Sequence, residues 1–81
     1  MSFKEKLEKE YQWPSLYTFK FISPREKVLE LKSLLVKHDI REKPSRNGNY
    51  ISLTFDIMAR SSDEIISVYQ QVHTVGNIIA L

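Results

Sequence analysis

The stretch Pro44-Ser45-Arg46-Asn47-Gly48-Asn49-Tyr50-Ile51-Ser52-Leu53-Thr54-Phe55-Asp56-Ile57-Met58-Ala59 decides how the rest of the chain must be arranged. Asn47-Gly48 is the pair favoured by a tight two-residue hairpin turn, whose central positions both need positive φ. After it the apolar side chains alternate. Ile51, Leu53, Phe55, Ile57 and Ala59 fall on one side and Tyr50, Ser52, Thr54, Asp56 and Met58 on the other. A period of two predicts a central strand with one buried face. Before the turn, Ile40 to Ser45 is a short strand charged through Arg41, Glu42 and Lys43 and stopped by Pro44, as suits a protected sheet edge.

Working back toward the start, Tyr17, Phe19 and Phe21 alternate with Leu16, Thr18, Lys20 and Ile22, a second strand with its aromatic side inward. Ser23-Pro24-Arg25-Glu26 reads as a capping box, opening an amphipathic helix from about Pro24 to His38 that carries Val28, Leu31, Leu35 and His38 on one face. Ser61-Ser62-Asp63-Glu64 opens a second helix, ending near His73, with Ile65, Val68, Tyr69 and Val72 at helical spacing. Ile78 to Leu81 is apolar and forms a last strand. Residues 1–12, with Phe3, Leu7 and Tyr11 amid alternating Lys and Glu, form a helical or flexible leader to a domain at 13–81.

The order strand, helix, strand, strand, helix, strand predicts an α+β, ferredoxin-like split βαβ fold. Its four-stranded antiparallel sheet runs 4-1-3-2, with both helices on one face. Eighty-one residues make one domain, which buries only about 60 to 65% of its unfolded surface. Twelve basic against 10 acidic residues leave a charge of only +2, too small an excess to point to nucleic acid. With no cysteine there is no disulfide, thiolate metal site or cysteine nucleophile. No stretch approaches the ~20 apolar residues of a membrane span, and a cytoplasmic setting without membrane contact is expected.

The segment Lys43 to Thr54, with its Pro-Ser-x-x-Gly-x-Tyr lead into a strand, resembles the YbeD-like family of small bacterial proteins of unknown function. The likeness extends to Phe19-Lys20-Phe21-Ile22, to the capped helix from Ser61 to Tyr69 and to the apolar ending, over roughly residues 13–81. It implies a ferredoxin-like fold related to ACT-type regulatory domains and no established activity. The chain departs from the family pattern at Ser23, where relatives carry Gly, and at Ile78, where they carry a long side chain.

His38 and His73 each fall at a helix end, where the dipole favours a cation, and no third ligand joins them; no metal or cofactor is expected. No Ser/His/Asp spacing singles out a nucleophile, so no enzyme is expected either. The residues from Arg46 to Ile51 fail the aromatic pattern of an RNA-recognition strand, which leaves RNA binding as the weakest reading. The open sheet face is the stronger candidate, lined by Leu16, Thr18, Lys20, Tyr50, Ser52, Thr54, Met58, Ile78 and Ala80, with Lys20 paired to Asp56 across adjacent strands. That face points to a regulatory or adaptor domain working by protein–protein association, with a homodimer through the face or the last strand as its expected form. An amino-acid-like ligand held by Ser23 and Arg25 at the first helix N-terminus is the alternative. The candidate surface is therefore Lys20, Ser23, Arg25, Tyr50, Ser52, Thr54, Asp56 and Ile78.

Overall fold

A computed structural model describes residues 2–81. In chain order the elements are α1 (Phe3–Glu10), β1 (Ser15–Pro24), a 3-10 turn (Arg25–Lys27), α2 (Val28–Leu34), β2 (Arg41–Pro44), β3 (Tyr50–Ala59), α3 (Ser62–His73) and β4 (Ile79–Ala80). The sheet order is β2-β3-β1-β4, the expected order read from the other edge, and every pairing is antiparallel.

The two ten-residue strands form the spine. They pair from Ser15↔Ala59 to Pro24↔Tyr50, which sets Phe19 opposite Phe55 and Phe21 opposite Leu53. Paired residues share a face, so the inward side chains of both strands meet over one surface. Those four are fully buried under Val28, Leu31 and Leu35 from the α2 side and Ile65, Val68 and Val72 of α3. Burial of each large side chain contributes about 1.5–3 kcal/mol. The Phe19 and Phe55 rings lie 5.1 Å apart and nearly parallel, and Tyr69 meets Phe19 edge-on at 5.1 Å, both favoured arrangements of aromatic quadrupoles. His38 stacks on Phe55 at 4.7 Å.

Three local readings are corrected. The hairpin is wider than two residues: Ser45 N–H bonds to the Tyr50 carbonyl and Gly48 N–H to the Ser45 carbonyl, leaving Arg46 to Asn49 as the loop. Gly48 alone of the Asn47-Gly48 pair takes positive φ, at +75°, and a Cβ there would sit 3.2 Å from the Arg25 guanidinium. Asn47 contributes through its side chain instead, its Oδ1 accepting from Ser45 Oγ and Asn49 N–H.

The first capping box is not made. β1 continues through Ser23 and Pro24 because their partners Ile51 and Tyr50 extend the ladder. Pro24 costs that ladder nothing. The Leu81 N–H bonds to the Lys20 carbonyl, so even-numbered residues of β1 aim their backbone groups at β4 and odd-numbered ones at β3. Arg25 N–H accordingly reaches the Asn49 carbonyl, and α2 starts only at Val28 with no side-chain cap. At α3 neither bond of the box is made: Ser61, the N-cap, makes no cap bond, and Glu64 reaches back past it to accept from Arg60 N–H.

The third correction is one of parity. Ile22 pairs with Ile79 and Phe21 with Ala80, so Ala80 lies on the helix side and Ile78 packs against the core, while Ile79 and Leu81 take the open side. Gly76 and Asn77, both at positive φ, set that phase.

The segment Phe3–Glu10 is helical. Ser2 caps α1 through Glu5 N–H, and Leu7, 3% exposed, is its buried residue. Ser62 donates to Glu8 at 2.5 Å, Trp13 Nε1 donates to Glu8 at 3.0 Å, and Lys4 meets Asp63 at 2.9 Å. A helix this short does not hold its shape in water, so these contacts with α3 and with the segment that follows α1 are what order it.

Candidate functional site: the open face of the sheet

Since α2 and α3 both cover one surface of the sheet, the even-numbered side chains of β1 and β3 project from the other. Two apolar ends flank a polar middle. At one end Leu16 pairs with Met58, 59% and 62% exposed; at the other, Ile22 sits beside Ile79, with Tyr50 and Leu81 close by. Thr18↔Asp56 and Lys20↔Thr54 lie between them.

The Lys20–Asp56 pair is not formed. Register places Asp56 opposite Thr18, whose hydroxyl donates to it at 2.5 Å, and Arg41 reaches its other oxygen at 3.4 Å. The Thr18 hydrogen bond holds the Asp56 carboxyl below its ordinary range; partial desolvation opposes this and Arg41 reinforces it. Among the described residues Lys20 and Lys43 are in no ion pair. They line a shallow cleft of about 240 Å³ with Ile22, Pro44, Tyr50 and Ser52.

Of the residues expected at the site, Lys20, Tyr50, Ser52, Thr54 and Asp56 come together on this face. Ser23, Arg25 and Ile78 do not. Ser23 is fully buried with its hydroxyl donating to the Pro24 carbonyl, and Arg25 Nε donates to the Gly48 carbonyl at 2.6 Å, where Arg25 lines an open pocket of about 610 Å³ with Pro24, Glu26, Asn49 and Tyr50. Ile78 is half-buried against the core. Ile79 and Leu81 take its place, and no residue pattern announces that: in a run of four apolar residues, only register separates the two sides. Among the described residues no cluster of His, Asp or Glu suits a metal ion, and no helix is long and apolar enough to cross a membrane.

Helices on one face and bare strands on the other define a small α+β plait domain with a single exposed sheet surface. The chain belongs to the family described as protein of unknown function (DUF493), which it matches over residues 8–81. It is 31% identical over 80 residues to a UPF0250 protein of Buchnera aphidicola, covering 90% of this chain and 91% of that one. UPF0250 proteins of Bordetella parapertussis and Bordetella bronchiseptica are each 33% identical over 48 residues, 59% of this chain and 53% of theirs. The chain is thus a YbeD-like small bacterial protein, as the hairpin segment suggested. No solved structure matches it.

Proposed function

We propose that the protein is a regulatory or adaptor domain that works by protein–protein association, not by catalysis, and that the open sheet face is its docking surface. One observation carries this: Leu16, Met58, Ile79, Leu81 and Tyr50 are each about half exposed or more, on a face that no helix covers. Scattered apolar residues are ordinary on a surface, but two clusters on one flat face are what association sites show. The polar middle sets the partner's chemistry. Lys20 and Lys43 call for acidic groups between two apolar contacts, so the partner is a protein with a mixed apolar and acidic surface.

The test compares immobilised wild type with Met58→Asp and Ile79→Asp, each of which charges one apolar end without touching the core. A protein with an apolar and acidic surface, held by the wild type from bacterial extract and lost from both variants, supports the reading. The same proteins retained by all three baits would refute it.

A further inference from the structure

Part of β3 has no neighbour on its β2 side. β2 pairs with β3 only from Pro44↔Ile51 to Arg41↔Thr54, although β3 runs on to Ala59. Continuing that register would set Asp39 beside Asp56 and Lys37 beside Met58, but those residues belong to the turn between α2 and β2 and do not join the sheet. Described chain bounds the gap at both ends, by Arg41 where β2 begins and by Arg60 where β3 gives way to α3. What is left over is backbone. Ser45 N–H bonds to the Tyr50 carbonyl, so even-numbered residues of β3 aim their N–H and C=O toward β2 and odd-numbered ones toward β1. Asp56 and Met58 therefore aim theirs into the gap, and among the described residues neither finds a backbone partner there. The gap opens into a groove of about 830 Å³, walled by Leu34, Lys37 and His38 on one side and by Glu64 and Val68 of α3 on the other. That volume falls within the roughly 300–1,000 Å³ of ordinary ligand sites.

We propose that this groove takes up an extended segment of a partner protein, lying antiparallel to β3 on the line that β2 abandons. The backbone names the occupant. Donors and acceptors alternating along one edge are matched by another extended chain, whose residues opposite Asp56 and Met58 each exchange an N–H and a C=O. The gap admits a short segment and not a second sheet, since Phe55 to Ala59 spans roughly 14 Å at about 3.4 Å per residue. Side chains follow from the pleat. The segment's residue opposite Ile57 points to the helix side, toward Ile57, Leu34 and Val68, which calls for an apolar group, while its two neighbours point to the open side beside Asp56 and Met58. Charge adds one requirement. On the groove Asp56, Asp63 and Glu64 are paired with Arg41, Lys4 and Arg60, whereas Lys37 is in no ion pair among the described residues, so the segment carries an acidic group to meet it. This site lies beside β3 and not on the open face, and it stands without that reading.

Panning short random peptides displayed on phage against the immobilised full chain tests this. With no cysteine elsewhere in the chain, Val36→Cys carries a single fluorophore on the rim of the groove, and titration with an enriched peptide reads the affinity. Enriched sequences should combine an apolar and an acidic residue. At about ten times its Kd such a peptide should slow amide exchange at Asp56 and Met58 roughly tenfold. It should bind Lys37→Glu several-fold more weakly and be lost from Met58→Pro, which deletes an N–H aimed at the gap and spares the β1 ladder. Ile79→Asp, which charges the far end of the open face, should bind it as wild type does. No enriched sequence, a peptide that leaves both amides unchanged, or equal affinity for Met58→Pro or Lys37→Glu overturns the proposal. Binding abolished by Ile79→Asp with both amides unchanged also overturns it and places the peptide on the open face. Should Met58→Pro not fold, the wild-type amides of Asp56 and Met58 decide.

Discussion

Replacing Leu7 with Ala tests how α1 is joined to the rest of the chain. Leu7 is the buried residue of α1, and its removal leaves a gap against the core it packs on. In a closed core Leu→Ala costs 2–5 kcal/mol, and for a single side chain docking a short helix at the margin of the core the low part of that range applies, about 2.5 kcal/mol. An eight-residue helix has no stability of its own to absorb such a loss. The undocked population should therefore rise roughly 60-fold, as 1.4 kcal/mol is tenfold. Phe3, half exposed against Tyr69, and the exposed Lys4–Asp63 pair contribute less, so most of the docking rests on Leu7 and on the Ser62–Glu8 hydrogen bond. Amide exchange followed residue by residue reads this directly. The α1 amides should exchange faster by roughly that factor, while the paired amides of Phe19, Phe21, Leu53 and Phe55 keep their rates. Unchanged rates in α1 would show that Leu7 does not hold it. An equal acceleration everywhere would show that residues 1–12 are part of one cooperative unit with the rest, not a leader.

Tyr69→Phe removes the partner of Tyr17, whose hydroxyl lies 2.9 Å away, and should cost about 1 kcal/mol in urea unfolding at neutral pH. Burial first, and the Tyr17 bond second, raise the Tyr69 pKa above the ordinary phenol value. The folded state then keeps a proton that the unfolded state releases, so this stabilisation is complete below about pH 10 and is lost as pH climbs above it. The variant should lose that alkaline slope; equal slopes in the two proteins would contradict the assignment. Thr18→Val keeps a β-branched side chain but deletes the main cause of the low Asp56 pKa, so the Asp56 carboxyl should titrate closer to the ordinary carboxylate range by NMR. Since the folded pKa is depressed, its stabilisation is present above the unfolded value of about 4 and vanishes as pH falls through the folded one. Identical Asp56 midpoints in wild type and variant would rule out the Thr18 bond as the cause.

What could be read from the residues was whatever depends on alternation alone. Phe19, Phe21, Leu53 and Phe55 stand under two helices because period-two patterning ties each side chain to a face. Antiparallel order followed from the hairpin and the two helical segments. Features that depend on competition between neighbours were not legible. Ser23-Pro24-Arg25-Glu26 satisfies a helix-start pattern, yet strand pairing with Ile51 and Tyr50 wins there, a long-range gain that a local motif does not record. Asn47-Gly48 named the turn but not its width, which the Ser45–Tyr50 pair sets. On the candidate surface, Lys20 and Asp56 were placed on the correct side by alternation and matched wrongly. The choice between Thr18 and Lys20 as neighbour of Asp56 is one of register, and a register shift leaves the alternation of either strand untouched.

Arg25 is bound to the hairpin tip twice, through its own N–H to Asn49 and its guanidinium Nε to Gly48. A hairpin tip is ordinarily the place to graft a tag or break the chain for circular permutation. Here such surgery would pull on the junction between β1 and α2, at the far end of the longest ladder in the sheet. The exposed turn at Val36 and Lys37, which carries no such tether, is the better site for a fluorophore or an affinity handle.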